Sequence, residues 1–223
     1  MTYLIQRELL LPFGEWVEAI RAARNEYADG DLVKNVTNTQ MFHVEHSARL
    51  IFTKNATEGL NGVLQGLLRQ GDHVITSNLE HNSVVRPLHA LQQSRGIEVT
   101  TIPAQPSGIV SATDFQSALQ HNTRLIVLTH ASNVTGAIQP VEEVGAVART
   151  AGVRFLVDAA QSLGHLEVDM QSANIDLLAF AGHKGLLGPT GTGGLVIRPG
   201  VELRMRTVRE GGTGSRSELD THP

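Results

Sequence analysis

The sequence predicts an α/β fold, a three-layer sandwich around a mostly parallel central sheet. Three observations carry that expectation. From about residue 49 onward, short β-branched runs alternate with helical stretches, the pattern of βαβ units. Two of those runs, "LIVLT" and "FLVDA", are almost continuously apolar, as strands covered on both faces are. Between strands, Leu60, Val63, Leu64, Leu67 and Leu68 recur at helical spacing, one stripe to lay against a sheet.

Taken in order, residues 1–40 read as an N-terminal helix and linker. Trp16, Ile20, Ala23 and Tyr27 share a helix face, and "DGDLVKNVTNTQ" has loop composition. Residues 41–210 form the main domain. "RLIFT" opens it as a strand, and "TEGLNGVLQGLLRQG" follows as a helix, with Gly71 where a C-terminal stop is wanted. Then come strand "DHVITS", helix "NSVVRPLHALQQSRG", strand "IEVTTI", helix "TDFQSALQ", strand "TRLIVLTH" and helix "VEEVGAVARTAG". The strands "VRFLVDA", "IDLLAFAG" and "GGLVIRP" complete the series, and "LIVLT" and "FLVDA" should be central. Residues 211–223, "GGTGSRSELDTHP" with its opening glycine at Gly211, have no periodicity and read as a fraying tail. No internal repeat is present.

Several function classes are disfavoured by the totals. The chain has 223 residues, a formal net charge of -4 and 41% hydrophobic residues, the profile of an ordinary globular protein and not of a nucleic-acid binder. No apolar run is long enough to span a bilayer, and the start becomes charged too soon for a secretory signal, so a cytoplasmic protein without membrane contact is expected. Cysteine is absent, which removes disulfides, thiolate metal sites and thiol nucleophiles together.

The chemistry-bearing residues cluster just after strands, where open α/β sheets hold their ligands. In "AFAGHKGLLGPTGTGGLVI", Lys184 precedes the glycines, so neither a P-loop nor a dinucleotide fingerprint fits; the glycines read as tight turns and close backbone approaches. A lysine partly removed from water is a nucleophile suited to a Schiff base, although a strand-end lysine can also simply snorkel to solvent. Asp158 ends a buried-looking strand and requires a cation or several donors; helix capping is its structural alternative. Gln161 follows three residues on. His81 and Asn133 stand beyond two other strands, where exposure or turn chemistry would also explain them. Thr57 lies at a strand-to-helix junction suited to an anion, and N-capping by Asn55 or Thr57 is compatible with that. A zinc site at "HVEH" (43–46) lacks a third ligand, and Ser132 and Ser162 sit in no nucleophile elbow.

Together "NATEGLN", "DHVITSNLEHNSVVRPL", "THASNVTGAIQPVEEVGAVAR", "FLVDAAQSLGHLEVD", "DLLAFAGHKGLLGPTGTGGLVIRPG" and "GGTGSRS" resemble, in order and spacing, the class V aminotransferases, pyridoxal 5'-phosphate (PLP) enzymes of fold type I. Within that family they are similar to the cysteine desulfurase and selenocysteine lyase group, over about residues 41–217. The resemblance implies a PLP-binding large domain, incomplete here, and a homodimer. It implies that Lys184 anchors the cofactor and moves protons at the substrate α-carbon, and that Asp158 holds the pyridine nitrogen protonated. It likewise places His81 on the ring face, Asn133 and Gln161 near the 3-hydroxyl, and Ala56, Thr57 and His183 around the phosphate. Ala181 stands where the family usually has a hydroxyl residue, so one phosphate hydrogen bond should be missing. Nothing in residues 1–40 matches the family's opening strand and loop, and the chain is expected to stop before the small C-terminal domain.

The function so implied is a PLP-dependent, cysteine desulfurase-like enzyme acting on L-cysteine or a related amino acid. Two alternatives stand beside it: a PLP-dependent lyase or transaminase that needs no catalytic cysteine, and a non-catalytic remnant or interaction module retaining the fold.

Overall fold

Alternation along each strand sorts the apolar residues onto two faces. The computed structural model describes residues 50–209, with strands β1 Leu50–Thr53, β2 His73–Ser77, β3 Glu98–Ile102, β4 Thr123–Thr129, β5 Arg154–Asp158, β6 Leu177–Ala181 and β7 Gly193–Ile197. The helices are α1 Ala56–Leu67, α2 Asn82–Arg95, α3 Ala112–Ser117 and α4 Val141–Ala151. In β4, Leu125 and Val127 join the apolar cluster under α1 and α2, while Ile126 and Leu128 join the one under α3 and α4. That division makes the three layers. The helix proposed around Trp16 and the tail from residue 211 lie outside the described residues.

The seven strands form one sheet in the order β1-β7-β6-β5-β4-β2-β3, with β5 in the middle and β4 beside it. Neighbours from β3 to β6 pair in parallel, and β7 runs antiparallel to both of its neighbours, β6 and β1. No helix lies between β6 and β7, so the chain returns by a loop, and a parallel pairing would have required a crossover. From β2 the chain moves outward to β3, then passes back to β4 and onward to β6. The order therefore reverses between β2 and β4, and a crevice opens outside their carboxyl ends.

Helix boundaries follow from their caps. Asn55 caps α1 by accepting from the Glu58 N–H at 3.0 Å, and Glu58 accepts from the Lys54 N–H at 2.7 Å. Gly71 is not the stop of α1: the helix ends at Leu67, Leu68 turns extended, and the Asp72 carboxylate accepts from the Arg69 N–H at 2.7 Å. Gly71, at φ 76°, instead serves the turn into β2. True left-handed glycine caps close α2 at Gly96 and α4 at Gly152.

Candidate active site

Strands β4, β5 and β6 end on Thr129, Asp158 and Ala181. Each lies two residues beyond an apolar residue of the α1/α2 cluster, namely Val127, Leu156 and Ala179, so all three ends share that face. Helices α1 and α2 begin at the same end and aim their N-termini at it. A cavity of about 180 Å³ results, and Ala56, Thr57, His81, Asn133, Asp158, Gln161, His183 and Lys184 all line it. A larger groove of about 720 Å³ opens beside it between α1 and α2, sharing Thr57, His81 and Ser83.

Asp158 is 4% exposed. Its Oδ1 accepts from the Ala160 N–H at 2.9 Å, and no helix follows, so the capping alternative does not apply. Burial pushes this carboxyl above the usual range, opposed by the Ala160 bond and by the charges of Lys184 and His81. Its second oxygen has no protein partner among the described residues. A carboxyl in that position suits a cation delivered into the cavity, as a protonated pyridine nitrogen would be. The other donors lining the cavity, two helix N-termini with Thr57 and His183, suit a phosphate. The residues present therefore fit PLP.

His81 is the N-cap of α2. Its Nδ1 accepts from the Ser83 N–H at 3.1 Å and lies 2.7 Å from Ser83 Oγ, which is 2.7 Å from Thr57 Oγ1. With Nδ1 accepting, a proton on the ring is assigned to Nε2. The first turns of α1 and α2 are thus tied together by one hydroxyl. Ser83 was missed from the sequence; its position two residues after a capping histidine was the available signal.

Lys184 sits on a turn in which its carbonyl accepts from the Leu187 N–H at 2.8 Å and the Gly182 carbonyl from the Gly188 N–H at 2.7 Å. Two glycines seat this turn. A Cβ on Gly164, at φ 90°, would run into the Gly185 carbonyl, and one on Gly185 would meet the Leu163 carbonyl. Lys184 Nζ has no hydrogen-bond partner among the described residues. His183 is exposed, its Nδ1 3.4 Å from the Thr192 carbonyl.

The alternatives set aside in the sequence have structural explanations. Ser132 Oγ accepts from the Val134 and Thr135 N–H groups, both at 3.3 Å, which is turn chemistry. Among the described residues no group of three or more His, Cys, Asp or Glu could hold a metal, and no helix is long and apolar enough to cross a membrane. Residues 43–46 lie outside the described residues.

Comparison with known proteins identifies the family. The family model described as aminotransferase class-V matches residues 33–221. A probable cysteine desulfurase of Methanothermobacter thermautotrophicus is 42% identical over 167 residues, covering 74% of this chain and 42% of the relative. The apo structure of a cysteine desulfurase from Thermococcus onnurineus superposes with a TM-score of 0.73 at 35% identity, covering 78% of this chain and 44% of that one. A structure described as SspA in complex with cysteine superposes at 0.71 and 32% identity, covering 92% and 57%. The chain spans about half the length of the relatives it matches. By its matched sequence and its fold, this chain belongs to the class V aminotransferase family.

Proposed function

We propose that the chain is the PLP-binding part of a cysteine desulfurase-like enzyme acting on L-cysteine or a related amino acid. The observation that carries this reading is the convergence of Lys184, Asp158, His81, Asn133, Gln161, His183, Thr57 and Ala56 on one cavity. Relatives and neighbours described as cysteine desulfurases, and a neighbour described with cysteine bound, support the substrate class. When bound, PLP supplies an electron-withdrawing ring that accepts the electron pair left at a substrate's α-carbon.

The chain's own groups have separable tasks. Lys184 would hold the cofactor through its amine and would carry a proton to or from the substrate α-carbon. Asp158, buried and short of one donor, would keep the ring nitrogen protonated. His81, its orientation fixed by Ser83, would support the ring. Asn133 and Gln161 would serve the 3-hydroxyl, while the first-turn amides at Ala56 and Thr57, with His183, would take the phosphate. The chain contains no cysteine, so an acceptor thiol is not among its residues. A cytoplasmic homodimer completes the proposal.

The test is an absorbance spectrum of purified protein after incubation with PLP and removal of excess, beside Lys184→Ala. A visible band in the wild type that the variant lacks is the expected result. No band, or the same band in both, would overturn the assignment of Lys184.

A further inference from the structure

Glu80 lies immediately before His81, in the loop between β2 and α2, and none of the tasks above uses it. Its carboxyl is nonetheless buried. Oε1 accepts from Ser77 Oγ at 2.6 Å and from the Thr129 N–H at 3.0 Å. Oε2 is enclosed and has no partner among the described residues.

This geometry follows from the switch point. The β2–β4 ladder runs only from His73↔Thr123 to Ile75↔Ile126, and beyond that register the strands part. The Thr129 N–H, at the end of β4, therefore has no β2 carbonyl to meet, and a buried N–H left unpaired is costly. The Glu80 side chain supplies the missing acceptor. It spans the gap from the β2 side and ties the His81 turn both to the end of β2, through Ser77, and to the end of β4, through Thr129.

We propose that Glu80 is a positioning residue, a neutral carboxylic acid that closes the gap between β2 and β4 and thereby fixes the turn carrying His81. Neutrality follows from the surroundings. Ser77 and Thr129 are uncharged, and the charged group that bears on Glu80 is Asp158 on β5, which repels a second anion. An ionised carboxylate would leave a charged oxygen enclosed without a donor, a larger penalty than an enclosed neutral one. Burial accordingly pushes this carboxyl up to about 8. A neutral Glu80 adds no negative charge beside Asp158, whose carboxyl lines the cavity. The consequence for the cofactor rests on the function proposed above; the clamp itself does not.

The experiment uses the apo chain. Amide hydrogen exchange is measured at Thr129 and Ser83 in wild type, Glu80→Gln and Glu80→Ala, because glutamine keeps a neutral acceptor and alanine removes it. Glutamine should retain the wild-type protection at both amides. Alanine should accelerate exchange at both by about 5- to 150-fold, the equivalent of losing one buried hydrogen bond. Glutamine as damaging as alanine would overturn the neutral acid, and unchanged protection of Ser83 in Glu80→Ala would overturn the positioning role. Should the alanine variant fail to fold, carboxyl carbon NMR of the wild type decides: a Glu80 signal in the ionised position at neutral pH overturns the proposal, and one in the protonated position supports it. Failure of the wild type to bind PLP would overturn the proposed function and leave the amide result standing.

Discussion

The buried carboxyl of Glu80 makes stability depend on pH in a direction that can be worked out in advance. Its ordinary value is 4.5, and in the folded chain burial holds it at about 8. Between those two values the unfolded chain has released the proton and the folded chain has kept it, so the folded state binds more protons and stability falls as pH rises. The loss begins near the lower value and is complete above the upper one. Each tenfold change in proton affinity is worth about 1.4 kcal/mol, so raising the pH from about 5 to about 8.5 removes about 4 kcal/mol through this group alone. Glu80→Gln cannot titrate and avoids that loss, while keeping an acceptor for Ser77 and Thr129. Urea unfolding of the two apo chains across that range is the assay, and the quantity of interest is their difference, in which other titrating groups cancel. The variant should match or fall slightly below the wild type at the acid end and exceed it by several kcal/mol at the alkaline end. Parallel stability curves would refute the reasoning, because they would mean that Glu80 has the same proton affinity folded and unfolded.

Other substitutions probe the rest of the site and its frame. Gly164→Ala forces a side chain onto a φ of 90° and into the Gly185 backbone; a stability loss of about 1–3 kcal/mol or more and weaker PLP retention are expected, read by thermal melts and cofactor titration. Ala181→Ser adds a hydroxyl to the cavity wall beside Lys184 and His183, and one net hydrogen bond of about 0.5–1.5 kcal/mol should tighten PLP binding by about 2- to 12-fold in an equilibrium titration. Asp176, 5% exposed at the opposite end of the sheet, pairs with Arg154 at 3.0 Å and accepts from the Phe155 N–H at 3.0 Å; Asp176→Ala should cost about 3–5 kcal/mol in urea unfolding without altering the PLP absorbance band.

Much of the fold was legible because its signals are local. Each strand is a short apolar or β-branched run, and the two central ones, "LIVLT" and "FLVDA", lack the polar alternation of a half-exposed strand. The cavity was legible for a related reason: Asp158, His81, Asn133 and Lys184 each follow a strand closely, and in a mostly parallel sheet those positions meet at one end. What escaped depends on distant partners. Gly71 looked like a helix stop because the Arg69 and Arg95 guanidiniums that take the carbonyls of Gln65, Gly66 and Leu68 at the end of α1 converge there only in the folded chain. Glu80, in "NLEHN", looks like an ordinary loop acid. Its burial is decided by where β2 and β4 separate, a register that no window of sequence contains.

The charges around the cavity constrain what can occupy it. On one side, α1 and α2 present their N-termini, and neither leaves a free acid in its first turn: α2 has none, and the Glu58 carboxylate of α1 is engaged by the Lys54 N–H and by Arg209. The partial positive charge of both helices is therefore uncancelled where Ala56 and Thr57 meet the cavity. On the other side, Asp158 offers a buried carboxyl with one oxygen unclaimed. A simple anion would satisfy the helix ends and leave the unclaimed Asp158 oxygen without a donor, and a simple cation would do the reverse. A molecule that is anionic at one end and a cationic donor at the other satisfies both at once. The pairing of helix N-termini with a buried acid thus selects for such a molecule before any contact with its ring is considered, and Lys184 lines the same cavity, its amine available to a carbonyl on that ring.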